Sequence, residues 1–269
     1  MSEVTTLKNG INLYNKDAFY KLQEAGNILK GIRDELVENA TEGNTTNALN
    51  ELAESLIIKN NCDTLFKGFG NYPYTTCLSN NEQIVHGIPT DDPLKIGDVL
   101  TIDIGLKYKG YCADSARTVI IGDNPPEDDI LLLETAKKGF EAGLEKAYPG
   151  NTTGDIGFAI HKQVIFPQKI PEDWRSGYKF KIFVQFSGHG IGLELHEPPT
   201  IPNFGSLGKG LELLEGMCFC IEPVVLYAES EVCMQEIDGI TRFTTHDLKP
   251  SAQYENQVYL SSNGPIVLT

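Results

Sequence analysis

The sequence predicts an α/β chain of the α+β kind, built from two related halves that each set a helix pair before antiparallel strands. Two observations carry this. Residues 17–40 and 45–59 repeat apolar side chains at three- and four-residue steps, and residues 127–147 and 153–166 do so again. Gly43-Asn44-Thr-Thr separates the first pair and Gly150-Asn151-Thr-Thr the second, 107 positions later. Asn and Thr are common helix caps, so the four-residue match alone is weak. Matched helix pairs on both sides of it point to duplication.

The first helix carries Phe19, Leu22, Ile28, Leu29, Ile32 and Leu36, with Asp17 as its expected N-cap. Leu49, Leu52, Leu56 and Ile57 mark the second. Strand patterns follow at residues 99–104 and 112–121, around a hairpin loop at 107–110. That centre sets Asp103 opposite Asp114, with Cβ atoms about 5 Å apart. Two like charges so placed destabilise a hairpin unless a cation joins them. In the second half, Ile130, Leu133, Phe140 and Leu144, then Ile156, Ile160 and Val164, mark the helices. Strands are expected at 180–186, 217–225 and 257–260. The same offset of 107 carries Asp114 to within one position of Glu222. The expected organisation is a single domain over 1–269, with residues 1–10 as a short N-terminal extension.

Composition narrows the function. At 41% hydrophobic the chain can bury a substantial core. A net charge of −15 argues against nucleic acid and against anionic membranes. No apolar run approaches the ~20 residues that span a bilayer, and Met1-Ser-Glu-Val lacks the basic start of a secretory signal. The six cysteines form no Cys-x-x-Cys pair, so reduced thiols and a cytoplasmic location are expected.

Chemistry concentrates in a few places. Glu222 interrupts the apolar stretch Met217-Cys-Phe-Cys-Ile-Glu-Pro-Val-Val, where a charge is rarely tolerated unless paired or bound to metal. Ser187-Gly-His189-Gly-Ile-Gly192-Leu-Glu-Leu-His196-Glu-Pro-Pro199 is the densest motif. Pro198 and Pro199 stop any helix that a dinucleotide fingerprint needs. No second His lies four residues beyond His196, which removes a zincin helix. What remains is a glycine-allowed turn that aims His189 and His196 into one space. His161 and His246 are read as structural. Asp103, Asp114, His189, Glu222 and Glu255 together carry four carboxylates and one neutral imidazole. Four negative charges balance two divalent cations; without them the carboxylates would be forced to bind protons.

Gln83-Ile-Val-His86-Gly-Ile-Pro89, the Asp103/Asp114 hairpin, Gly188-His189-Gly, Ile221-Glu222-Pro and Ser251-Ala-Gln-Tyr-Glu255 occur in an order and spacing that resembles the type I methionine aminopeptidases. The resemblance covers roughly residues 10–269. It implies the pita-bread fold, two pseudo-symmetric halves around a central dinuclear metal site. It implies hydrolysis of the bond after an N-terminal Met when a small residue follows. Asp103 would bind one metal, His189 and Glu222 the other, and Asp114 and Glu255 both. Glu222 would shuttle a proton, His196 would stabilise the tetrahedral oxygen, and His86 would contact the scissile amide nitrogen or the bound peptide. Phe69, Tyr72 and Cys77 fall in the methionine pocket, and Leu195 stands where type I enzymes often carry Phe. Thr241 replaces a pocket Trp found in some relatives, and Asn256 a His found in many. The cofactors implied are two divalent metal ions, among Co, Mn, Fe and Zn. The partners implied are N-terminal Met peptides and nascent chains at the ribosome, acted on by a monomer. The alternatives are an Xaa-Pro dipeptidase of the same fold and a non-catalytic pita-bread binding protein.

Overall fold

The first half of the chain runs β1 (Val4–Thr6), β2 (Asn12–Tyr14), α1 (Lys16–Asn39), α2 (Thr46–Lys59), β3 (Asp63–Thr64), β4 (Thr76–Asn80), β5 (Gln83–Val85), β6 (Val99–Tyr108) and β7 (Tyr111–Ile120). The second runs α3 (Glu127–Leu144), α4 (Thr153–Ile165), β8 (Phe180–Ile182), β9 (Ser187–Gly190), β10 (Glu197–Pro202), β11 (Cys218–Ile221) and β12 (Val224–Tyr227). It ends with β13 (Val232–Ile237), β14 (Ile240–Thr245), β15 (Ser251–Gln253), β16 (Asn256–Ser261) and β17 (Gly264–Val267). This computed structural model describes residues 2–166, 179–237 and 239–269.

The two helix pairs lie where apolar periodicity places them, and the repeated turn between helices has the same construction twice. Gly43 and Gly150 both adopt positive φ, 82° and 91°, a conformation that favours glycine. Asn44 donates its side-chain amide to the carbonyl of Asn39, and Asn151 donates to that of Lys146. Thr45 then caps α2 through the Ala48 amide, and Thr152 caps α4 through that of Asp155. The shared hydrogen bonds give the sequence repeat a structural counterpart. Asp17 is not the cap of α1: Asn15 Oδ1 accepts from the amides of Asp17 and Ala18. On α3 the buried face is Leu132, Ala136 and Phe140, while Ile130 is 40% exposed.

In each half the helices cover strands through a separate core. Leu29, Leu36, Leu49 and Ile57 pack on Leu78, Leu100, Ile102 and Ile104. Phe140, Ile156 and Ile160 pack with Phe219, Ile221 and Val258. Strands β3, β6 and β4 form one sheet, with β7 paired to β6. In the second half β10-β9-β11-β16-β17 form one sheet and β15-β12-β8 another.

The β6–β7 hairpin turns at Lys109-Gly110, both at positive φ, as a two-residue type I′ turn requires. Its centre therefore lies one position later than the expected loop. Gly105, not Asp103, stands opposite Asp114, and Asp103 pairs with Ala116. The two aspartates keep one face but are diagonal neighbours.

Of the expected strand 180–186 only Phe180–Ile182 is extended in a sheet, with Ser187–Gly190 a separate strand beyond it; within the expected 217–225, Glu222-Pro223 divides β11 from β12. β11 pairs with β16 up to Ile221↔Asn256, and β12 pairs with β15 from Val224↔Gln253. Both chains switch sheets at the same level, and Glu222 and Glu255 occupy the two facing gaps.

Candidate metal centre

Three local rules deliver the five candidate ligands. Asp103 and Asp114 stand on the inner face of the β6–β7 hairpin. Glu222 and Glu255 stand in the facing gaps between sheets, where their side chains leave the ladders. His189 lies on β9, paired with Thr200 on β10. The glycines around it serve close approach rather than a turn. A Cβ on Gly188 would lie 2.1 Å from the Cys220 carbonyl oxygen, and one on Gly192 would lie 2.0 Å from the Tyr14 hydroxyl. His189 and His196 do share one space, with ring centroids 4.4 Å apart.

The five side chains converge. His189 Nε2 is 3.5 Å from Glu222 Oε1 and 3.8 Å from Asp114 Oδ2. Asp114, Glu222 and Glu255 are buried, at 4%, 7% and 2% exposure. Burial and mutual repulsion push Asp103, Glu222 and Glu255 well above the carboxylate range, and burial raises Asp114 to about 7. Burial, with His196 alongside, lowers His189 to about 4, so its imidazole is neutral at pH 7. Asp103 Oδ1 and Asp114 Oδ1 are buried and accept no hydrogen bond. Orphaned anionic oxygens are costly unless a cation meets them. This donor set, oxygen-rich with one imidazole, fits divalent metal ions.

Behind the carboxylates stands a hydrogen-bonded support. Arg33, 3% exposed on α1, donates to Ser115 Oγ at 2.7 Å. Ser115 and Arg117 both donate to the Glu255 carbonyl, at 2.9 and 2.6 Å. The Arg117 guanidinium lies over the Tyr254 ring at 3.9 Å and donates to Asn256 Oδ1. Gln253 Nε2 donates to Glu222 Oε2 at 3.2 Å.

The ligands line a cavity of about 390 Å³. Every candidate ligand, catalytic and substrate-contact residue named from the sequence lines it: Phe69, Tyr72, Cys77, His86, Asp103, Asp114, His189, Leu195, His196, Glu222 and Glu255. Tyr72 lines the cavity while its hydroxyl is shared between the backbone carbonyls of Gly87 at 2.7 Å and Thr76 at 3.0 Å. Phe69 meets His196 edge-on at 5.1 Å. His86 sits at φ 57° with Nδ1 3.3 Å from the Thr241 carbonyl. Phe66, Val85, Phe186, Ile240 and Gln253 also line the cavity and were not singled out. Their signals were ordinary apolar or amide residues within strands and loops, with nothing local to mark a site.

A model of metallopeptidase family M24 matches residues 20–262. The chain belongs to metallopeptidase family M24. Among relatives in that family, a methionine aminopeptidase of Clostridium perfringens is 36% identical over 259 residues, spanning 96% of this chain and 98% of the relative. One from Bacillus subtilis is 36% identical over 248 residues, spanning 92% and 94%. The crystal structure of methionine aminopeptidase from Rickettsia prowazekii aligns with a TM-score of 0.88 at 30% identity, covering 96% of this chain and 99% of that one. A prolidase from Pyrococcus furiosus aligns at 0.72 with 23% identity, covering 65% of its own chain, and shares the fold. The M24 neighbours have the pita-bread fold expected from the sequence. Within it, Asn256 occupies a structural position against Arg117, whereas Leu195 and Thr241 line the pocket.

Proposed function

We propose that this M24 chain removes the N-terminal methionine from peptides and nascent proteins whose second residue is small. The observation that carries the reading is one cavity in which a five-donor metal centre adjoins an apolar wall. The full-length relatives named methionine aminopeptidase support it. Asp103 would hold one cation, His189 and Glu222 the second, and Asp114 and Glu255 both. When bound, two divalent ions among Mn, Fe, Co and Zn supply Lewis acidity and a water of lowered pKa.

The remaining work falls to side chains. Glu222, oriented by Gln253, receives the proton of the attacking water and passes it to the leaving amine. His196, at the cavity edge beside Phe69, donates toward the oxygen that gains charge. His86, its Nδ1 turned to the Thr241 carbonyl, directs Nε2 at the scissile amide or the bound peptide. Phe69, Tyr72, Cys77 and Leu195 enclose the methionine side chain and exclude water. The catalytic unit is the whole chain acting as a cytoplasmic monomer on chains emerging from the ribosome. A net charge of −15 supports its having no nucleic-acid or membrane partner of its own.

The test is methionine release from Met-Ala-Ser after chelation and re-addition of each metal singly. Release restored by at least one metal is expected. Turnover of Xaa-Pro dipeptides with no methionine release would transfer the chain to the dipeptidase reading.

A further inference from the structure

Cys220 lies on β11, two residues before Glu222, and is fully buried. Its Sγ lies with one donor atom each of Asp114, His189 and Glu255, all within 4.8 Å of one another. The thiol hydrogen-bonds to the Glu255 carboxylate. Asp114 Oδ1 is buried and hydrogen-bonds to no group. The four donors are one nitrogen, two oxygens and one sulfur; three of them belong to the five-donor centre above, and Cys220 adds the sulfur.

We propose that Asp114, His189, Cys220 and Glu255 form a sulfur-containing site for a thiophilic divalent cation, Zn(II) or Cd(II). The inference rests on reading Asp114, His189 and Glu255 as metal ligands. In a tetrahedral zinc site, bonds of about 2.0–2.3 Å set neighbouring donors about 3.5 Å apart. His189 Nε2 and Asp114 Oδ2, at 3.8 Å, already approach that spacing. Drawing the outer donors in requires side-chain movement on the order of 1 Å. Binding exchanges the thiol proton for the cation, and the proton leaves to solvent. Mn(II), an oxygen-preferring ion, does not select the sulfur donor. Four protein donors close a tetrahedral shell, whereas hydrolysis needs an open position. Zn(II) or Cd(II) held through Cys220 is therefore inhibitory.

The experiment is a titration of the metal-free full chain with Cd(II) alone, following the ultraviolet sulfur-to-metal charge-transfer band, beside a calorimetric titration with Mn(II). One band equivalent per chain is expected in the wild type and in Cys77→Ser, and none in Cys220→Ser. Cd(II) affinity should fall about tenfold or more in Cys220→Ser, within the range for loss of a metal-supporting group, while Mn(II) affinity changes less than about threefold. Cys220→Ala, which cannot ligate, should behave as Cys220→Ser does. Absence of the band in the wild type, its persistence in Cys220→Ser, or equal losses of Cd(II) and Mn(II) affinity would overturn the site. Methionine release by the Mn(II)-loaded chain reads the underlying function separately, so a missing band with intact release sinks this inference alone.

Discussion

Tyr14 and Glu197, 183 positions apart, are joined by a hydrogen bond of 2.7 Å from the phenol to carboxylate Oε2. The same carboxylate accepts from the Leu193 and Glu194 amides and from the Asn12 side chain. Burial and the Glu197 charge hold the Tyr14 phenol protonated, as a donor. The N-terminal hairpin, β1 paired with β2, thereby grips the loop that ends at His196. Residues 4–6 pair with Asn12–Tyr14 as the outer strand of that hairpin.

Tyr14→Phe removes one donor to a carboxylate, a bond worth about 1.5–3 kcal/mol. Tm should fall by about 3–8 °C, and kcat should fall more than KM rises, because His196 loses its anchor. Differential scanning calorimetry and steady-state kinetics read both. An unchanged Tm would show that the contact contributes nothing.

Asp114→Asn should weaken binding of both metals, because a shared donor is lost. His86→Ala should retain metal yet lose about 10²-fold or more in turnover. Calorimetric titration separates the two. Should His86→Ala bind metal no better than Asp114→Asn, the division into ligands and substrate contacts is wrong.

Burial holds His86 below its ordinary value of 6.5. The folded chain therefore takes this proton less readily than the unfolded chain, and stability falls as pH drops below 6.5. His86→Asn should show a smaller loss of Tm than the wild type between about pH 7 and pH 5. The wild-type kcat/KM should decline only on further acidification, because burial keeps the Nε2 lone pair available below the ordinary histidine value.

Arg117 fixes the Glu255 carbonyl and stacks on Tyr254. Arg117→Lys keeps the charge but loses the planar fork. Metal affinity should fall by about 10–100-fold, as for other groups that orient ligands. Equal affinities in a competitive chelator titration would remove Arg117 from any such role.

Asp103, Asp114, His189, Glu222 and Glu255 were legible because each breaks a local expectation: a charge in an apolar strand, or an imidazole between glycines. The helix pairs were legible because their periodicity is internal to each segment. The β13–β14 hairpin was not, and it supplies Ile240 and Thr241 to the cavity. β13 is largely exposed and lacks a one-sided apolar alternation. The hairpin centre at Lys109-Gly110 was misplaced because a lysine at positive φ carries little sequence signal.

The sequence by itself determined the four helices, the two-fold repeat, and the identity of the residues that crowd the centre. These follow from spacing and from the cost of burying charge. Only the tertiary structure decided how they meet. The register made the aspartates diagonal neighbours, the sheet switch set Glu222 against Glu255, and chain packing brought Cys220 to Glu255 and Arg33 to Ser115. Those relations join positions far apart in the chain, as Ser115 and Glu255, 140 residues apart. They depend on which strands pair and how closely backbones approach, information that no local window of the chain contains.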